Sequence, residues 1–131
     1  MIRILIADDH RIFRQSLRAI IDCEEDMAVV AEAENGKAAL KQTKRCRPDV
    51  VLMDVNMPIM NGIEATRWIS VAFEGIKVIA LTINSEDAYM NKMMEAGASS
   101  YISKVCKREE IIQGIRAVWR SPEAISLSPR A

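Results

Sequence analysis

Five short apolar runs, each followed by a stretch with helical spacing, limit this 131-residue chain more than any other feature. "IRILIA" (Ile2 to Ala7), "MAVVAEA" (Met27 to Ala33), "DVVLM" with Val50 to Met53 as its apolar body, "KVIALT" (Lys77 to Thr82) and "SYIS" read as strands. Helices follow them. "HRIFRQSLRAIID" sets Phe13, Leu17, Ile20 and Ile21 at helical spacing, with Arg11, Arg14 and Arg18 on the other side. "KAALKQTKR" lies between Asn35-Gly36 and Pro48, "IEATRWISV" follows Gly62, "EDAYMNKMMEA" is closed by Gly97, and "REEIIQGIRAVWR" comes last. Parallel strands need crossovers and the crossovers cover the faces, so this alternation predicts a parallel sheet with helices on both sides. Strands that are apolar almost throughout suit burial on both faces.

Length and composition set the remaining bounds. Half the residues are apolar, enough for one core and too few residues for two domains. The tail "SPEAISLSPRA", with two prolines and three serines, reads as a linker or a frayed end, so the domain is expected over 1–120 and the start of a linker over 121–131. Eighteen basic residues balance eighteen acidic ones, which argues against a nucleic-acid-binding surface on this domain. No apolar run approaches the ~20 residues of a membrane span, and Met1 to Ile6 lacks a signal peptide's layout. Cys23, Cys46 and Cys106 are odd in number and widely spaced, which speaks against disulfides and for a reducing cytoplasm. With His10 the only histidine, no ligand spacing suits a structural zinc site.

Chemistry gathers at one place. In open parallel sheets, ligands collect beyond the carboxyl ends of the strands. Asp8 and Asp9 follow the first strand, Asp54 the third, Thr82 ends the fourth, and Lys104 sits just past the fifth. If strands one and three are neighbours, three carboxylates converge, and such a cluster requires a cation. Mg²⁺, held by a few carboxylates and waters, answers that need. Lys104 adds a point charge and Thr82 a hydroxyl, completing a pocket for a phosphoryl group with Asp54 as nucleophile.

Each of these residues also has a plain reading. A lone Asp at a strand end is commonly a cap, and for Asp8 that reading stays open beside the functional one. Lys104 by itself is a surface lysine, and Thr82 by itself a strand former. Pro58 and Gly62 shape the loop after Asp54, and His10 reads as a surface contact where the first helix opens. Met90, Met93 and Met94 read as core fillers, or in part as an adaptable partner surface. Ile111, Ile115 and Val118 form a core stripe; Ile112 and Trp119 form an adjacent one that either completes the core or stands half-exposed for a partner, and Gly114 permits a close neighbour.

"ADDH" after the first strand, "LMDVNMPIMNG" around the third, "LT" ending the fourth and "AGASSYISK" around the fifth resemble bacterial two-component response-regulator receiver domains. The resemblance covers about residues 2 to 120. It implies a flavodoxin-like (βα)5 doubly wound parallel sheet with strand order 2-1-3-4-5. It also implies that Asp54 is the phosphoacceptor, with Asp9, Asp54 and the backbone carbonyl of Asn56 on Mg²⁺ and Asp8 acting through water. Lys104 is then expected to pair with Asp54 or the phosphoryl oxygens, Thr82 to bond the phosphoryl group, and Tyr101 to be the aromatic switch. Asn56 and Asn84 lie where the family tunes the lifetime of the phosphorylated state. Val105 departs from the family's commonest pattern, which has proline after this lysine. A cis bond before a non-proline residue costs about 3 kcal/mol, so the bond is either trans or held cis by its surroundings.

"DDHRIFRQSLRAII" and "EAGASSYISK…EEIIQGIRAVW…ISLSP" are similar to the NarL/FixJ-type (LuxR-type) subfamily, whose receiver precedes a helix-turn-helix DNA-binding domain. The expected partners are therefore a sensor histidine kinase, a second copy as homodimer, and DNA only through a domain outside this chain. Three other readings compete: a stand-alone receiver in a phosphorelay, a phosphorylation-independent interaction module, and a Mg²⁺-dependent phosphatase. The module typically lacks an acid or the lysine, and both are present here. The phosphatase needs a second acid two residues after its nucleophile, where this chain has Asn56. Self-phosphorylation from a phosphodonor and slow hydrolysis are the only chemistry expected.

Overall fold

The computed structural model describes residues 1–83 and 87–120; Asn84 and the linker-like tail 121–131 lie outside the described residues. Strands β1 (Ile2–Ala7), β2 (Met27–Ala33), β3 (Val50–Asp54), β4 (Lys77–Thr82) and β5 (Ser100–Ser103) form one parallel sheet in the order β2-β1-β3-β4-β5. Helices α1 (Arg11–Asp22), α2 (Gly36–Cys46), α3 (Gly62–Ala72), α4 (Asp87–Ala96) and α5 (Arg108–Arg120) make the crossovers. Among the described residues no helix is long and apolar enough to cross a membrane.

Side-chain alternation along the strands fills two separate cores. Ile4 and Ile6 of β1, with Leu52, Ile79 and Leu81, pack with Leu17 and Ile21 of α1 and Ile111, Ile115 and Val118 of α5. Leu5 and Ala7 point the other way, joining Val51, Met53, Ala80, Ala39, Ala65, Ile69 and Met93. Fully burying one such Leu or Ile stabilises by roughly 1.5–3 kcal/mol, so covering both faces is what holds the sheet. The α5 stripe that the sequence left open divides: Ile112 is core, while Trp119 is partly exposed. Among the α4 methionines, Met93 is buried and Met90 and Met94 are half-buried. Gly114 is approached by Ile102 of β5, a strand residue.

Asparagine side chains cap the starts of α2 and α3. The Asn35 side chain accepts from the Ala38 N–H at 2.7 Å, and Asn61 accepts from the Glu64 N–H at 2.9 Å. Each such cap contributes about 1 kcal/mol. After α4, Gly97 turns the chain at φ +119°, and a Cβ there would meet Ser70 of α3 at 2.5 Å.

The register sets the functional edge. Ala7 pairs with Met53, so Asp8 stands level with Asp54. Asp54 pairs with Leu81, one residue short of Thr82, and Thr82 pairs with Ser103, one residue short of Lys104.

Candidate functional site

Asp8 serves two roles at once. Its Oδ1 accepts from the His10 N–H at 2.8 Å, closing the turn into α1, while its Oδ2 lies 2.5 Å from the Lys104 ammonium. That second contact is an ion pair without hydrogen-bonding geometry. Lys104 also approaches Asp54 Oδ1 at 3.3 Å, and only 6% of its side chain is exposed. Its ammonium rests 4.8 Å above the centroid of the Phe13 ring on α1, a cation–π contact. The backbone holds the lysine too: the Lys104 N–H donates to the Thr82 carbonyl at 2.8 Å. The Lys104–Val105 peptide bond is trans. Val105 is accommodated in a turn whose Cys106 N–H donates to the Ser103 carbonyl at 3.2 Å.

The loop after Asp54 fits tightly against its surroundings. The Gly62 N–H donates to the Val55 carbonyl at 2.9 Å, and a Cβ on Gly62 would lie 1.9 Å from the Asp54 carbonyl oxygen. Only glycine lets α3 begin this close to the strand that ends in Asp54. Gly36 at the start of α2 does the same for the other side of the loop, donating to the Met60 carbonyl at 2.8 Å. The tip is a γ-turn in which the Met60 N–H donates to the Pro58 carbonyl at 2.7 Å. That turn forces the exposed, β-branched Ile59 to φ +70°.

Asp9, Asp54, Thr82, Lys104 and Asp8 thus meet at one edge, as the sequence predicts. Asn56 is exposed at the rim and lines, with His10, Asp54, Thr82, Tyr89 and Lys104, a cleft of about 180 Å³. Tyr101 lies half-exposed on the far side of Thr82. There it borders a second cleft of about 300 Å³ with Met90, Cys106 and Glu110. Thr82 lines both clefts, so it forms the wall between them.

The charge balance here is unfavourable as it stands. Asp8, Asp9 and Asp54 face a single lysine. Burial, reinforced by the Asp8 charge, pushes the Asp54 carboxyl up to about 6 in spite of Lys104. Among the described residues, the buried side-chain oxygens that lack a hydrogen bond are Asp8 Oδ2 and Asp54 Oδ2, both in this pocket. One donor atom from each of Asp8, Asp9, His10 and Asp54 falls within 4.8 Å of the others. Converging oxygens, an orphaned buried carboxylate atom and an excess of negative charge fit a hard divalent cation. Sequence reasoning missed two participants. Phe13 reads correctly as an apolar helix position, but spacing does not tell that its ring faces a lysine; His10 is 61% exposed, yet its ring turns toward the acids.

The model for the response regulator receiver domain matches residues 4–116. The chain belongs to the response-regulator receiver family. It is 39% identical over 126 residues to the response regulator GacA of Pseudomonas aeruginosa, covering 96% of this chain and 59% of that protein. It is 37% identical over 117 residues to the transcriptional regulatory protein DegU of Brevibacillus brevis, covering 89% of this chain and 50% of that protein. The receiver chain thus spans about half to three-fifths of the length of these curated relatives. Its fold superposes on a LuxR-family two-component response regulator from Aurantimonas with a TM-score of 0.84 and 37% identity, covering 89% of this chain and 84% of that one. These relatives agree with the LuxR-type branch to which the α1 and α5 motifs point.

Proposed function

We propose that this receiver domain is phosphorylated on Asp54 by a sensor histidine kinase and that phosphorylation biases a transcriptional output. The observation that carries the reading is the Asp54–Lys104–Asp8 arrangement. It offers a buried carboxylate with one unpartnered oxygen, an ammonium 3.3 Å from its other oxygen, and further acids beside it. Asp54 attacks the phosphorus of a phosphohistidine. A phosphorus–oxygen bond forms, the phosphorus–nitrogen bond breaks, and the electron pair stays on the imidazole, which takes up a proton. Asp9, Asp54 and the Asn56 carbonyl would hold Mg²⁺, with Asp8 acting through water; when bound, the ion neutralises charge that develops on the phosphoryl oxygens. Lys104 and the Thr82 hydroxyl bind those oxygens. The new charge draws Thr82 inward, and Tyr101 on the other side of that wall follows.

In this reading residues 1–120 form the receiver and 121–131 begin the linker to a helix-turn-helix domain that contacts DNA. The work is cytoplasmic, and the domain's own chemistry ends with self-phosphorylation and slow hydrolysis of the acyl phosphate. Intact-mass spectrometry after incubation with Mg²⁺ and a phosphorylated histidine kinase tests it. One added phosphate on the parent chain and none on Asp54→Asn is the expected outcome. A label that persists on Asp54→Asn refutes the assignment.

A further inference from the structure

We propose that His10 supplies an imidazole nitrogen to the acid pocket, making it a mixed nitrogen–oxygen site that takes late first-row divalent ions such as Ni²⁺ and Cu²⁺. The inference rests on the reading of this pocket as a cation site and deepens it, because an all-oxygen donor set and a set containing imidazole select different ions.

Three observations converge on it. His10 Nδ1 stands 3.0 Å from Asp8 Oδ1 and 3.3 Å from Asp9 Oδ1. Two ligand atoms each about 2.1 Å from one ion stand about 3.0 Å apart at a right angle and about 3.4 Å apart at a tetrahedral one. The 3.3 Å spacing to Asp9 is therefore close to that of two ligands on one ion, while the 3.0 Å contact with Asp8 Oδ1 is a hydrogen bond that keeps the ring beside the pocket. Independently, Asp54 Oδ2 is buried in the same cluster with no hydrogen-bond partner. The ring's position is also anchored without being enclosed: the His10 backbone N–H is tied to Asp8 Oδ1 at 2.8 Å, while the ring borders the cleft and stays 61% exposed. An ion can reach it from solvent, and the acids wait behind it.

Physical chemistry then sets the order of preference. Carboxylates, carbonyls and waters suit Mg²⁺, whereas one imidazole among them adds affinity that rises along the series toward Ni²⁺ and Cu²⁺. Mg²⁺ keeps its waters in preference to taking a nitrogen. His10 thus affects the late ions strongly and Mg²⁺ hardly at all.

The test uses the untagged chain, whose single histidine makes any imidazole signal unambiguous. Cu²⁺ is added at one equivalent and pulsed electron paramagnetic resonance is recorded; calorimetry follows with Ni²⁺ and with Mg²⁺ on the parent, His10→Gln and Asp54→Asn. The parent is expected to show imidazole nitrogen coupling to Cu²⁺. His10→Gln is expected to weaken Ni²⁺ at least about tenfold and leave Mg²⁺ within about twofold. Asp54→Asn is expected to weaken Ni²⁺ and Mg²⁺ together. Absence of imidazole coupling overturns the proposal, as does equal weakening of both ions by His10→Gln. Ni²⁺ binding indifferent to Asp54→Asn also overturns it, by putting the ion outside the pocket. A parent chain that binds neither Ni²⁺ nor Mg²⁺ removes the cation site itself; one that binds Mg²⁺, with Ni²⁺ indifferent to His10→Gln, removes only the role of the nitrogen.

Discussion

Replacing Asp54 by asparagine should stabilise the metal-free domain at neutral pH and do so much less in acid. The folded domain raises the Asp54 carboxyl from 3.8 to about 6, chiefly through burial. A raised carboxyl pKa means that the folded state holds its proton more tightly than the unfolded chain. The resulting stability is present in full below about pH 4 and is lost as pH rises through about 6. A shift of about two units at roughly 1.4 kcal/mol per unit gives a loss of about 3 kcal/mol by pH 7. Asparagine has no proton to lose and escapes that penalty. Against a total stability of roughly 5–15 kcal/mol, the difference is easily seen. Urea unfolding of both proteins without divalent ions, near pH 4 and again near pH 7, measures it. The stability of Asp54→Asn relative to the parent should rise by about 2–3 kcal/mol between the two. Adding Mg²⁺ at pH 7 should raise the parent and leave the variant nearly unmoved. A gap that stays constant with pH, or shrinks toward neutrality, refutes the claim that an ionised Asp54 is strained by burial.

Two backbone positions give further tests. Gly62→Ala drives a Cβ to within 1.9 Å of the Asp54 carbonyl oxygen. Overpacking and a weakened hydrogen bond should cost about 2–4 kcal/mol in urea unfolding, and a fully stable variant would contradict that packing. Ile59→Asn should instead stabilise by about 1 kcal/mol, because Ile59 sits exposed at φ +70°, where asparagine is better tolerated; a loss of stability would show that the side chain makes contacts that matter.

The strands were legible because a doubly covered parallel strand is a nearly unbroken apolar run, and β1, interrupted by Arg3 alone, and β3 up to its final Asp54 fit that description. Strand order was not legible from periodicity, which carries no information about neighbours; the family resemblance supplied it. The acids and Lys104 were legible because strand ends are sequence positions. What the residues do there depends on angles that spacing does not encode. Asp8 reads from the sequence as a cap or a pocket acid; its Oδ1 holds the N–H of His10, the N-cap residue itself, and its Oδ2 faces Lys104, so it shapes the turn before α1 and lines the pocket without capping the helix. The Ile112 and Trp119 stripe divides because residues seven apart on α5 reach different depths over a short sheet edge. Phe13 was legible as apolar, but which neighbour its ring meets follows from the β1–β3–β4–β5 register rather than from α1 itself.

The two glycine contacts at the loop after Asp54 have a mechanical consequence. Gly36 and Gly62 clamp that loop between the starts of α2 and α3 so closely that one methyl group would collide with backbone on either side. This wall of the pocket is stiff. The opposite wall is Thr82, backed by an open cleft and a half-exposed Tyr101. Force applied between a rigid support and a yielding one displaces the yielding one. On the proposed reading, a charge added at Asp54 pushes toward β4 and β5, with the clamp on the far side as its anvil.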